Sequence, residues 1–241
     1  HLPEHKFVSG QPETGAELAN DLERIAMNFG SENIAACIVE PISGSTGTLV
    51  PPKGYLNRLR EICDKHDILL IFDEVITGWG RTGSSFAAKE YGVTPDIMTM
   101  AKATTNGIVP MGVVAVKEEI YDTIVNASPD GVIELFHGYT YSGIPVAVAA
   151  ALAVQDIFEK EDIFNRAKNL SSYFLEGLFS LKDIDCVENI RGYGLMGGID
   201  IKQSDRPGKA GFQTYKKCYE VGVNFKATGD CLIIAPPFIC E

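Results

Sequence analysis

Apolar and polar positions alternate along this chain in two periods, and the change of period marks the elements. Residues 1–16 are irregular and polar. Ala16 to Phe29 then carries Leu18, Leu22, Ile25, Ala26 and Phe29 at helical spacing. Ile34 to Val39 is a short apolar run ending at Glu40, the pattern of a strand. The Gly/Ser/Thr/Pro-rich stretch from Pro41 to Gly54 reads as a loop. Tyr55 to His66 places Leu56, Leu59, Ile62 and Cys63 on one face of a predicted helix. Ile68 to Asp73 is an apolar run ending in an acid, which predicts a buried parallel strand with a carboxylate at its edge. The Gly-rich turn Thr77 to Gly83 follows, then a helix and strands over 96–101 and 112–116.

From about Ile144 the pattern changes. Predicted helices span Pro145 to Phe158 and Asp162 to Leu181, and short strands lie near Val187 to Ile190 and Leu195 to Ile201. A helix over Gly211 to Val221 and a strand over Cys231 to Ala235 complete the chain. Alternating strands and amphipathic helices predict an α/β fold, with a mostly parallel sheet flanked by helices. The expected division is a large domain over 1–160 and a smaller α+β C-terminal domain over 161–241.

Composition removes several function classes. Of 241 residues, 45% are hydrophobic and 22% charged, the balance of a globular protein with a sizeable core. The formal charge of -11, with no basic stripe, argues against nucleic acid and anionic membranes as partners. No apolar run approaches the roughly 20 residues a membrane helix needs. Six scattered cysteines without a Cys-x-x-Cys pair predict reduced, mostly buried thiols and a cytoplasmic location.

Two polar residues stand out against the apolar runs. One strand delivers Asp73, and Asp96-Ile97-Met98-Thr99-Met100-Ala101 delivers Lys102. In open α/β sheets, ligands bind beyond the carboxyl ends of the strands. An acid and a lysine at neighbouring strand ends fit a cofactor that needs a proton held on a ring nitrogen and an amine for a Schiff base. Pyridoxal phosphate is such a cofactor. The small or apolar neighbours Met98, Ala101 and Ala103 would desolvate an ammonium and lower its pKa. Taken singly, Lys102 is also readable as a solvated loop lysine, and Asp73 as a strand-end turn residue. An apolar strand ending in Asp73-Glu74 has the form of a Walker B strand as well, and Gly78 to Gly83 has the spacing of a phosphate loop. That reading fails, because Ser84 stands where the loop's lysine belongs and the turn follows the acidic strand.

Four motifs in register extend the argument: Val39-Glu40-Pro41-Ile42-Ser43-Gly44, Phe72-Asp73-Glu74-Val75-Ile76-Thr77-Gly78-Trp79-Gly80-Arg81-Thr82-Gly83, Pro95 to Lys102, and His137-Gly138-Tyr139-Thr140-Tyr141-Ser142-Gly143. Together they resemble the class III, fold-type I, pyridoxal-phosphate aminotransferases, nearest to their omega-amino-acid:pyruvate (β-alanine:pyruvate) branch. The resemblance implies transfer of an amino group from an omega-amino acid or amine to a 2-oxo acid such as pyruvate, with pyridoxal 5'-phosphate as cofactor. Lys102 would form the internal aldimine and then act as the proton-moving base. Asp73 would hydrogen-bond the protonated ring nitrogen. Val75, on the same side as Asp73, would pack on one ring face. Ile76 stands where other members often carry glutamine, which removes a polar contact to the ring oxygen. Thr140 would donate its hydroxyl and backbone N–H to the phosphate held by the neighbouring subunit, making the active form a homodimer with shared sites. A Gly-bounded turn before a helix is the plainer account of Thr140. Glu40 would lie near the cofactor's polar edge, with a structural hydrogen bond as the main alternative, and Arg81 would fix its loop.

One departure concerns the substrate. Where the branch places a carboxylate-binding arginine before Thr-Gly-Asp, this chain has Lys226 before Ala227-Thr228-Gly229-Asp230. Lysine lacks the flat fork that binds a carboxylate bidentately, and a solvent-facing strand-edge lysine is the competing account. The resemblance also implies an N-terminal phosphate loop and a stacking aromatic that nothing here matches. With no initial methionine and a stop directly after a predicted strand, the expectation is an internal fragment of a longer enzyme, inactive by itself. An aminomutase of the same family and a non-catalytic binding module keeping the fold are the other readings.

Overall fold

The apolar runs pair into two four-stranded sheets. The computed structural model describes residue 2 and residues 4–240. In the first sheet, β1 (Ala36–Val39), β2 (Leu69–Asp73) and β3 (Ile97–Met100) run parallel, and β4 (Val113–Val116) is antiparallel to β3. Parallel neighbours need a crossover between them. Here α1 (Asn20–Phe29) precedes β1, α2 (Tyr55–His66) joins β1 to β2, and the short α3 (Ala87–Tyr91) joins β2 to β3. After β4 comes α4 (Glu118–Ala127), which has no counterpart among the sequence expectations although Ile120, Tyr121, Ile124 and Val125 carry helical spacing. The expected helix from Ala16 begins as a 3-10 turn over Ala16–Ala19.

Two helices, α5 (Pro145–Lys160) and α6 (Ile163–Phe179), lead to the second sheet. It contains β5 (Val187–Tyr193), β6 (Met196–Ile201), β7 (Lys226–Thr228) and β8 (Cys231–Ile234), with α7 (Lys209–Glu220) between β6 and β7. Its order is β5-β6-β8-β7, antiparallel throughout. The mostly parallel sheet, its helices and the α+β part that follows are therefore as expected.

Packing explains the registers. Leu56, Leu59, Ile62 and Cys63 of α2 close over Leu70 and Phe72 of β2, forming the main core with Ala26 of α1. The expectation that β2 is buried throughout needs correction. With α1 and α2 on the side of Leu70 and Phe72, the alternate residues face the other way, and there Ile38 remains 63% and Val114 65% exposed. The second sheet has its own core of Leu178, Val187, Ile190, Ile199, Ile201 and Leu232. Cysteine burial is a second correction: all six are free thiols, but only Cys63 and Cys231 are buried, and Cys186 and Cys240 are exposed.

Long-range contacts tie the N-terminal segment and the loop after β1 to the second sheet. Ser9 bridges Gly192, and the Gly10 N–H donates to the Gly192 carbonyl at 2.9 Å. The loop after β1 inserts toward β5 and β6: Arg191 Nε donates to the Gly47 carbonyl at 2.6 Å, and Thr48 Oγ1 to the Gly197 carbonyl at 3.2 Å. Arg191, 4% exposed, also forms a two-pronged pair with Asp200. Among the described residues, no helix is long and apolar enough to cross a membrane.

Candidate active site

The carboxyl ends of β2 and β3 lie side by side, with Asp73 in register with Thr99. Asp73 is the last residue of β2, and Lys102 follows two residues after β3 ends at Met100. Parallel pairing thus brings an acid and an amine to one edge of the sheet. Asp73 Oδ1 accepts the Val75 N–H at 3.0 Å, and among the described residues Oδ2 accepts no hydrogen bond. This corrects the route proposed for Val75. The strand stops at Asp73, so Val75 is placed by a turn closed on the Asp73 carboxylate, and strand alternation does not govern it.

The cause of that turn is Glu74, which is fully buried. Its carboxylate accepts Thr77 Oγ1 at 2.6 Å, the Ala87 N–H at 3.0 Å and the Ala88 N–H at 2.7 Å. Glu74 therefore satisfies the orphan donors that begin α3 and pulls the chain over sharply after Asp73. Burial pushes its carboxyl above the ordinary value, against the pull of those hydrogen bonds. Sequence reasoning assigned it no role, since a bond spanning Glu74 and Ala88 leaves no periodic signal.

Lys102 opens a 3-10 turn over Lys102–Thr104 and has φ 44, a left-handed conformation unusual for a residue with a Cβ. The residue is exposed. Partial burial of its ammonium is nevertheless the first cause that lowers its pKa. The charges of Asp73 and Glu40 oppose that shift, and the charge of Lys226 adds to it. Three residues singled out from the sequence, at the end of β2, just after β1 and at the start of β7, thus act on the amine of the fourth, Lys102. Glu40 also has the expected structural bond: Oε2 accepts the Gly44 N–H at 3.0 Å and closes the loop after β1. Ile76 is half-buried and packs on Gly44, in a cluster with Ile42, Val50 and Met196. Lys226 begins β7, the sheet's edge strand, with an exposed side chain.

A cavity of about 1100 Å³ opens beside the amine, lined by Lys102, Thr105 and Met111 on one side and by His137, Thr140 and Tyr141 on the other. Thr140 is exposed in the turn before α5, and its Oγ1 lies 3.4 Å from the Gly138 carbonyl. It therefore shares a cavity with Lys102 of its own chain. Arg81 does fix its loop: Nη1 donates to the Pro236 carbonyl at 2.5 Å and reaches the Leu195 carbonyl at 3.4 Å.

A family model described as aminotransferase class-III matches residues 2–241. An omega-aminotransferase of Caulobacter vibrioides is 50% identical over 241 residues, covering 100% of this chain and 55% of the relative. A β-alanine–pyruvate aminotransferase of Pseudomonas aeruginosa is 48% identical, over 98% of this chain and 53% of the relative. The chain thus spans about half the length of these relatives. Among solved structures, the omega transaminase from Pseudomonas jessenii in complex with PMP superposes with a TM-score of 0.89 at 32% identity, covering 96% of this chain and 53% of the other.

Proposed function

The chain belongs to the class III aminotransferases, and from that membership we propose that it forms part of an enzyme moving an amino group from an omega-amino acid or amine to a 2-oxo acid such as pyruvate. The observation that carries this reading is the Lys102 amine beyond β3, at the same sheet edge as Asp73, with its pKa lowered by partial burial against the opposing charges of Asp73 and Glu40. The donor set fits pyridoxal 5'-phosphate: an amine for its aldehyde, a carboxylate with one uncommitted oxygen for its ring nitrogen, and an aliphatic side chain for a flat face. When bound, that cofactor supplies an electrophilic carbonyl and a cationic ring that draws electrons from the neighbouring carbon.

The residues divide the remaining work. Lys102 Nζ would be the nucleophile toward the cofactor's carbonyl and the base that takes a proton from the substrate carbon. Both tasks need the neutral amine, and partial burial favours that form. Asp73 Oδ2 would hold a proton on the ring nitrogen, and Val75 and Ile76 would offer the ring aliphatic contacts. Glu40 acts through the Gly44 turn. Lys226 attracts the substrate carboxylate as a point charge, which makes its preference among oxo acids looser than a bidentate arginine would give.

Thr140 serves the phosphate bound by a second copy, so that the active form is a homodimer. The exposure of its loop, with Phe136 at 93% and Tyr141 at 83%, supports this. Residues 1–160 are assigned to the cofactor domain and 161–241 to the small domain, divided at the break between α5 and α6. A cytoplasmic location goes with this chemistry. The test is borohydride reduction of the complete protein with pyridoxal phosphate, followed by peptide mapping. Labelling of Lys102 supports the reading, and labelling elsewhere ends it.

A further inference from the structure

Lys102 holds its left-handed turn through bonds that reach across to the Gly-rich turn after β2. Thr104, 3% exposed, ends the same 3-10 turn. Its Oγ1 donates to the Ala101 carbonyl at 2.9 Å, and its N–H bonds the same oxygen at 3.0 Å. That carbonyl belongs to the peptide bond joining Ala101 to Lys102. One acceptor site of Thr104 Oγ1 takes the Trp79 indole N–H at 2.9 Å. Trp79 comes from the Gly-rich turn after β2 and also has φ 62. Its ring is fixed edge-on against Phe86, at 5.0 Å between centroids, and against Phe158 of α5 at 6.4 Å. On the far side of the turn, the Gly107 N–H donates to the Lys102 carbonyl at 3.2 Å. Both peptides flanking Lys102 are therefore tied, and the upstream tie leads through two side chains to an aromatic wedge between the turns and α5.

We propose that Trp79 and Thr104 are positioning residues for Lys102: the indole fixes the Thr104 hydroxyl, the hydroxyl fixes the Ala101 carbonyl, and the lysine is thereby held in a conformation its own backbone disfavours. A hydroxyl with one donor and two acceptor sites is needed for this relay, and an indole can only donate, so the direction of each bond is set by chemistry. Valine at 104 keeps the shape and removes the relay. Phenylalanine at 79 keeps much of the wedge and removes its N–H. With the turn released, Nζ gains access to water and loses part of the burial that lowers its pKa. The inference rests on Lys102 being the reactive amine, and its test needs no cofactor.

Competitive acetylation of the full chain across a pH range, followed by peptide mass mapping, reads the titration and reactivity of Lys102 directly. In Trp79→Phe and Thr104→Val the Lys102 midpoint is expected to move up by on the order of half a pH unit. Thr104→Ser is expected to retain the wild-type curve, and the double variant to move no further than Thr104→Val. Lys102 curves in both single variants that overlay the wild type overturn the proposal, whatever happens to thermal stability. If Trp79→Phe does not fold, the contrast between valine and serine at 104 decides alone. Should borohydride mapping of the wild type label another lysine, the functional reading fails separately, because acetylation never involves the cofactor.

Discussion

The two sheets treat their faces differently. In the second, β5 reads buried at five of its seven positions and β6 at five of six, and its core closes on itself. In the first, α1 and α2 cover one face, while the other presents Ile38, Leu69, Val114 and Val116 to solvent. Asp73 lies on that less covered face, by its alternation with Leu70 and Phe72, and Lys102 follows at the same sheet edge. The lesson is that the candidate site residues Asp73 and Lys102 belong to the sheet with one less covered face, while the second sheet, with its closed core, adds the charge of Lys226.

That contrast can be broken in several places, beginning where the expected effect is largest. Lys102→Ala in the complete protein is expected to lower transamination by more than ~10⁴-fold while circular dichroism and Tm stay at wild-type values. An ordinary rate would remove the assignment. On the covered face, Phe72→Ala should cost about 3–5 kcal/mol in urea unfolding, because a fully buried ring leaves a cavity. At the junction of the sheets, Gly194→Ala is expected to cost about 3 kcal/mol, since Gly194 has φ 59 and a Cβ there runs into the Arg81 carbonyl. A smaller loss would mean that the Gly-rich turn yields at this point.

The second sheet also predicts an acid response. Burial works against the Asp200 charge, but the hydrogen bonds and charge of Arg191 override it, and its carboxyl lies below the ordinary value. The folded state thus binds that proton less tightly than the unfolded one. The stabilisation is present at neutral pH and fades as pH falls below about 4 and through the lowered folded value. Asp200→Asn should therefore cost about 1–2 kcal/mol at neutral pH, and the two unfolding midpoints should converge in acid. A constant gap would show that the pair contributes shape without charge. The smallest effect belongs to the open face: Ile38→Ala in this chain should change stability by no more than about 0.5 kcal/mol. A loss as large as that of Phe72→Ala would mean that this face is covered after all.

Much of this was legible in the sequence because it is local. Leu56, Leu59, Ile62 and Cys63 mark α2 to the residue, and they are its buried positions. Asp73 and Lys102 could be singled out because each follows an apolar run, whereas Glu40 and Lys226 gained their roles only through the family resemblance. What could not be read arises from pairing across distance. Nothing near Ser9 announces that it bridges Gly192, and nothing near Gly47 announces the Arg191 side chain. Glu74 was visible as an acid, but its three partners, Thr77 in the turn and Ala87 and Ala88 at the start of α3, meet it only once the chain has folded over. Val75 was assigned by strand alternation, which stopped applying once Glu74 ended the strand. The edge strand β7 has only three residues, too few for periodicity.

The joint between Arg81 and the second sheet carries one further consequence. Its guanidinium ties the Gly-rich turn to the Leu195 and Pro236 carbonyls, and Gly194 leaves no slack beneath it. Displacing the Gly-rich turn from the second sheet would therefore cost both of those bonds at once.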